Sequence, residues 1–274
     1  MANSVNTNFG ATVALQSLNK TNRELDAVQK RVSTGMRVSD AKDDGASFAV
    51  AQGLRADVKG NEAVNERLSV AKGLLAVTQE GLKGISDTVA SMRSVMVKLS
   101  DSALSTDERA QYNADYTALQ ADITKYIGQS SFGGQNLIEG GAADINVISD
   151  ASGGTITLEA ADVEAALTAL GGAPADSAAA IVKLGTGAAS LATFEKVVND
   201  QLAAIGANMR TVENQDNFIK VLGDTINDAI GSIVDADLAK ESAKLQALQI
   251  RQQLGTQTLS IANQSPSILM SLFQ

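Results

Sequence analysis

Apolar residues recur every seven positions along most of this chain. In the first segment Ala11, Leu18, Leu25 and Val32 keep that spacing, with Ala14 and Val28 three residues further on, and the pattern stops near Ser33-Thr34-Gly35. The second segment is the strongest. Leu68, Leu75, Leu82, Val89 and Met96 share one heptad position, and Ala71, Thr78, Ile85, Met92 and Leu99 the position three later. A seam sustained over about four to five heptads predicts coiled-coil-like packing. Ser105 followed by Glu108 reads as a capping box that opens a shorter helix to about Ile127. Near the other end Val198, Ile205, Val212, Ile219, Ile226 and Ile233 form another stripe. Its 35-residue span predicts a helix of about 52 Å. In the last segment Ala247, Leu254, Ile261 and Ile268 repeat the spacing, with Leu238, Leu245, Leu248 and Ile250 on further faces. A helix apolar on several sides must be buried on several sides. One intramolecular partner cannot cover it, so neighbouring subunits are expected.

The middle of the chain differs. Eleven of the 23 glycines fall between Gly128 and Gly187. Residues 145–148 and 155–158 read as short strands joined through Ser152-Gly153-Gly154, a hairpin signal. The Ala-rich stretch 160–182 predicts a further helical turn or two. Residues 139–190 hold seven acids and one lysine, −6 of the total charge of −9. At 52 residues this excursion is too small for a stable independent domain, and it is expected to face solvent. The plan is mirrored: helix, long helix, small excursion, long helix, helix. The predicted fold is mainly α, an elongated helical hairpin or coiled-coil rod with a small β-hairpin region.

Composition removes most chemistry. There is no His, Cys or Trp, and the two prolines are Pro174 and Pro266. Nucleophilic catalysis with a His base, His- or Cys-type zinc sites and disulfides are excluded. Apolar residues make up 44% but aromatics only 3%, which suits narrow aliphatic seams better than a wide core. The net charge of −9 argues against nucleic acid, which needs clustered Lys and Arg, and against an anionic membrane surface. The N-terminus has neither the basic nor the apolar region of a Sec signal peptide. No stretch nears the ~18 apolar residues of a transmembrane helix. Asp43, Asp44, Asp235, Asp237 and Glu241 could hold a divalent cation, but they read as helix caps and loop acids. Met92 and Met96, at heptad spacing, read as seam residues rather than a binding groove. No catalytic, cofactor or metal site is expected, and the chain is not read as an enzyme.

Several motifs carry a family resemblance. Asn8, Ala14, Leu15, Leu18 and Asn19, then Ser33-Thr34-Gly35-Met36-Arg37-Val38, then Ala41-Lys42-Asp43-Asp44 resemble the N-terminal signature of bacterial flagellin, the filament protein of the flagellum. Asp235-Ala236-Asp237, Ala239 and Glu241, then Gln253-Leu254-Gly255, Ala262-Asn263-Gln264 and the run from Leu269 to Leu272 resemble its C-terminal signature. Phe132-Gly133-Gly134 with Leu137 is similar to the turn after the family's inner helices. The resemblance covers about 1–138 and 190–274 and is to the short, alphaproteobacterial-type members without large outer domains.

The resemblance implies a structural subunit of an extracellular filament for swimming motility. It implies an inner terminal-helix core from residues 1–36 plus 234–274, and a helical layer from 45–138 plus 190–230. The excursion 139–189 would face solvent. The assembly core would hold Leu15, Leu18, Leu25, Val32, Leu245, Ile250, Leu254, Ile261, Ile268 and Leu272. The seam would hold Leu68, Leu75, Leu82, Val89 and Met96 with Val198, Ile205, Val212, Ile219 and Ile226. Export through the flagellar type III channel is implied, as are other flagellin subunits, hook-associated junction and cap proteins and a cytoplasmic export chaperone as partners. Flagellins of this type are often O-glycosylated, which makes Ser149, Ser152, Thr155, Thr157, Ser177, Thr186 and Ser190 candidate glycan acceptors. Only Arg93 is basic between 84 and 97, which counts against recognition by the animal innate flagellin receptor. The alternatives are a hook–filament junction protein, or a secreted coiled-coil protein that binds a host partner.

Overall fold

The computed structural model describes residues 8–271, without the side chains of 265–271. Seven helices and two small antiparallel sheets follow in chain order: α1 (Phe9–Thr34), α2 (Gly45–Leu99), α3 (Thr106–Gln129), β1 (Ser131–Phe132), β2 (Gln135–Asn136), β3 (Ile145–Ile148), β4 (Thr155–Leu158), α4 (Val163–Leu170), α5 (Ser177–Leu184), α6 (Leu191–Val234) and α7 (Leu238–Ser271). They form two compact units, one of residues 1–56 and 225–274, the other of residues 57–224.

In the terminal unit α1 and α7 pack against each other. Asn22 and Gln252 side chains meet at 2.9 Å, and Arg31 and Glu241 at 3.5 Å. Residue numbers rise along one helix as they fall along the other, so the two run antiparallel. α1 ends at Gly35, whose φ of 71° is the left-handed cap position that favours glycine. The connectors on either side of α2 and α6 are clipped together. Met36 and Asp235 form an antiparallel bridge. Arg37 N–H donates to the Val234 carbonyl at 2.7 Å and Ala236 N–H to the Gly35 carbonyl at 2.9 Å. Val28, Val38, Ala51, Val234 and Leu248 are the buried apolar side chains among the described residues of this unit.

In the second unit the heptad residues of α2 build the core. Leu68, Leu75, Leu82, Ile85, Met92, Met96 and Leu99 are fully enclosed. α3 starts with a complete capping box between Ser105 and Glu108, which satisfies two end donors reciprocally. It returns along α2, with Lys98 over the Tyr112 ring at 5.3 Å and Tyr126 against Gly84. β1 and β2 turn through Gly133 and Gly134, both at positive φ, a pair of positions that glycine takes without steric cost. β3 pairs with β4 in the register Ile145↔Leu158 to Ile148↔Thr155.

The excursion departs from the expectation of a solvent-facing appendage. Val147, Leu158, Val163, Leu167, Leu170 and Ala180 belong to the same core as α2 and α6. Gln215 and Gln201 of α6 hold the hairpin by donating to the carbonyls of Ser149 and Glu159. The Ala-rich stretch makes two full helices, capped by Asp162 and Asp176. Most of the acids here serve as backbone acceptors. Asp144 takes Ala160 N–H, Asp150 takes Ser152 and Gly154 N–H, and Glu164 takes Gly140 N–H. The negative charge of this segment therefore closes its loops.

Candidate functional site

The residues that could carry a function of assembly are the apolar side chains that the fold leaves uncovered. On α1 the pattern predicted one buried face, yet only Val28 is fully enclosed, at 1% exposure. Leu18, Leu25 and Val32 are half-buried, and Leu15 is 47% exposed. On α7 Leu248 is buried and Leu245 half-buried, whereas Ile250, Leu254 and Ile261 are 57–64% exposed. The side chain of Ile268, and Leu272 as a whole, lie outside the described residues. Phe9 at 80% and Val13 at 49% exposure add to the uncovered apolar side chains of α1. Sequence reasoning passed over both because they fall off the seven-residue stripe; their spacing of four, which sets two large apolar side chains on one helix face, is the signal that marks them. Gly255 lets α7 approach α1: a Cβ there would meet the Leu18 Cδ1 at 3.1 Å.

The acids near this surface are engaged locally. Asp44 accepts from Ala46 N–H, Ser47 N–H and the Ser47 hydroxyl at the start of α2. Asp237 accepts from Lys240 N–H at the start of α7. Asp43 accepts from the Ser39 N–H and hydroxyl and from Lys30, which hold its carboxyl down at about 2. Lys30 also reaches Asp40 at 2.6 Å, which raises the ammonium and lowers the carboxyl. Among the described residues no cluster of three or more His, Cys, Asp or Glu could hold a metal ion.

In the second unit the predicted seam residues Leu68, Leu75, Leu82, Val89 and Met96 of α2 are buried, as are Val198, Ile205, Val212 and Ile219 of α6. Ile226 is half-buried and belongs to the terminal unit. The seam also contains a charge that the pattern did not reveal. The Asp216 side chain is only 3% exposed and lies between Lys220 at 2.8 Å and Lys72 at 3.3 Å. The Lys220 hydrogen bond, with that of Lys72, lowers its carboxyl despite burial.

The candidate glycan acceptors divide. Ser152, Thr155, Thr157 and Thr186 are exposed, while Ser149 and Ser177 are half-buried. Ser190 is a correction: it is 1% exposed, and its hydroxyl is occupied at the start of α6, accepting from Thr193 N–H and meeting the Thr193 hydroxyl at 3.1 Å. Its place just before a helix made it a cap rather than a free surface hydroxyl.

Comparison with known proteins bears on both terminal regions. The bacterial flagellin N-terminal helical region matches residues 5–143, and the bacterial flagellin C-terminal helical region matches residues 191–273. Flagellin FljM of Caulobacter vibrioides is 35% identical over 272 residues, spanning 99% of each chain. A flagellin of Brucella melitensis is 32% identical over 281 residues, again 99% of each. One from Listeria monocytogenes is 27% identical over 289 residues and 98% of each. Residues 144–190, which form β3, β4, α4 and α5, fall between the two family matches.

Proposed function

The chain belongs to the bacterial flagellin family, and on that premise we propose how its parts divide the work of a filament. It is a structural subunit that polymerises with further copies of flagellin into the extracellular flagellar filament used for swimming. In our reading the terminal helices, residues 1–36 plus 234–274, form the innermost layer of that polymer. Residues 45–138 plus 190–230 form the layer around it, and 139–189, packed on that layer's core through Val147, Leu158, Val163, Leu167 and Leu170, present only their exposed side outward. The subunit leaves the cell through the flagellar export channel after release from a chaperone, and joins hook-associated and cap proteins at the filament ends.

One observation carries the inner-layer reading. Leu15, Ile250, Leu254 and Ile261, with Phe9 and Val13, stand exposed on a helix pair that has already buried its shared face. Each such side chain gains about 1.5–3 kcal/mol when removed from water, and copies of the same pair supply the matching apolar surface. The test is the double variant I250D/L254D beside deletion of 235–274. Both are expected to leave the helices of residues 57–224 folded by circular dichroism while filaments vanish from electron micrographs. Filaments at parental yield from either chain would overturn the layered reading.

A further inference from the structure

Two ion pairs join α2 and α6 inside the second unit. Lys72 Nζ lies 3.3 Å from Asp216 Oδ2, and Arg93 pairs with Glu195. From one pair to the other the count rises from 72 to 93 on α2 and falls from 216 to 195 on α6, 21 residues each way. The helices are therefore antiparallel and in step over three heptads. By that register Leu68, Leu75, Leu82 and Val89 stand within one residue of the positions opposite Ile219, Val212, Ile205 and Val198.

The apolar layers do not choose this register. Move α6 by one heptad, and the same four α2 residues meet either Ile226, Ile219, Val212 and Ile205, or Val212, Ile205, Val198 and Leu191. Every layer is again aliphatic on aliphatic. The charges behave differently. After either shift Lys72 stands opposite Met209 or Gly223, and Asp216 opposite Asn65 or Gln79. Arg93 meets Ala188 or Leu202, and Glu195 meets Ser86 or Ser100. None of these four charges stands directly opposite a charge of the other sign after either shift.

The cost is concentrated at Asp216. Its Oδ1 is already buried without a hydrogen-bond partner, so the carboxylate depends on the two ammonium groups at Oδ2. A buried carboxylate stripped of its cross-helix cation is heavily penalised, whereas the surface pair of Arg93 and Glu195 adds less. A single buried polar group is a known way for coiled coils to select one register at some cost in stability.

We propose that Lys72–Asp216, supported by Arg93–Glu195, is the register lock of the α2–α6 seam. The packing of aliphatic layers supplies stability, and the lock selects which layers meet.

The chain has no cysteine, so spin labels can be placed at chosen positions of the whole unpolymerised chain. S69C and N199C are exposed sites about 30 Å apart along the seam, and a one-heptad slip changes that offset by about 10 Å. The otherwise unaltered chain is expected to give one narrow distance distribution. K72M/R93M, which removes two half-exposed side chains and leaves the buried layers intact, is expected to add a second component displaced by about 10 Å. D216L, which removes the buried carboxylate itself, is expected to show the same second component. A K72M/R93M chain that keeps full helical content and the single parental distance overturns the proposal and assigns the register to the layers and the β3–β4 hairpin.

Discussion

Asn8 donates its side-chain amide to the carbonyl of Ala262 at 2.6 Å. Ala262 lies four residues before Pro266, and proline has no N–H with which to complete that turn of α7. The amide of Asn8 takes the place of the missing donor. Its Oδ1 meanwhile accepts Ala11 N–H at the start of α1. One side chain thus closes the beginning of the first helix and the gap near the end of the last.

Asn8→Asp keeps the acceptor for Ala11 and loses the donor for Ala262. We expect it to lower stability by about 1–2 kcal/mol in the parent and by much less in a P266A background, where residue 266 supplies its own N–H. Thermal disassembly of filaments reads both numbers, and equal costs in the two backgrounds would remove Pro266 from the account.

Leu82 is completely buried. Leu82→Asp places an unpaired charge among aliphatic layers, a change of several kcal/mol. A circular-dichroism melt is expected to show the midpoint falling sharply. An unchanged curve is incompatible with the seam described here.

Gly81 marks the closest approach of the α3–β1 corner to α2. A Cβ at that position would stand 1.8 Å from Ser130 Oγ and 3.0 Å from its Cβ, while that hydroxyl is bonded to the Tyr126 carbonyl at 2.6 Å. Gly81→Ala is expected to destabilise by about 1–3 kcal/mol, as overpacking does. G81A/S130A is expected to recover part of the loss in chemical denaturation, and no recovery would mean that the backbone, not the hydroxyl, sets the limit.

Asp43 titrates at about 2 in the fold against an ordinary value of 3.8. The sign follows from linkage. A depressed carboxyl stabilises fully above its unfolded value, and that help is lost as pH falls from about 4 through 2. Hydrogen-exchange protection of residues 35–44, taken relative to the intrinsic rate at each pH, should therefore fall across this window. Asp43→Asn should exchange faster already at neutral pH and lose the added dependence; an identical acid profile in both chains would show that Asp43 does not hold the connector.

Any O-linked sugar on the excursion is expected on Ser152, Thr155, Thr157 or Thr186. Peptide mass mapping of native filaments checks this, and a glycan on Ser190 would contradict its burial.

Much of this structure was legible in the chain. The heptads of Leu68 to Met96 marked the core because large aliphatic side chains repeat at one spacing, and Ser105 with Glu108 marked the start of α3. The strands at 145–148 and 155–158 were equally plain between their glycines. The packing of Val163, Leu167 and Leu170 was not, since an alanine- and glycine-rich, acidic stretch resembles solvated linker until its acids are seen accepting backbone N–H groups. Asp216 was hidden for a related reason. A charged residue in a helix is usually solvated, an i,i+4 partner such as Lys220 fits a solvated face equally well, and the cross-helix lysine, Lys72, is 144 residues away. Asn8 and Ala262 are separated by 254 residues, and no local pattern links them. In the terminal unit the stripes identified which residues are apolar but not which remain uncovered, because that depends on the single partner each helix finds.

The equal spacing of the two ion pairs on α2 and α6 constrains how this gene can change in length. An insertion in one helix between residues 72 and 93 displaces every later layer against an unaltered partner. It is tolerated only if the other helix gains the same number of residues between 195 and 216, in multiples of seven. Two stretches more than a hundred positions apart are thereby tied as one ruler, and length variation in this region should appear only as matched pairs.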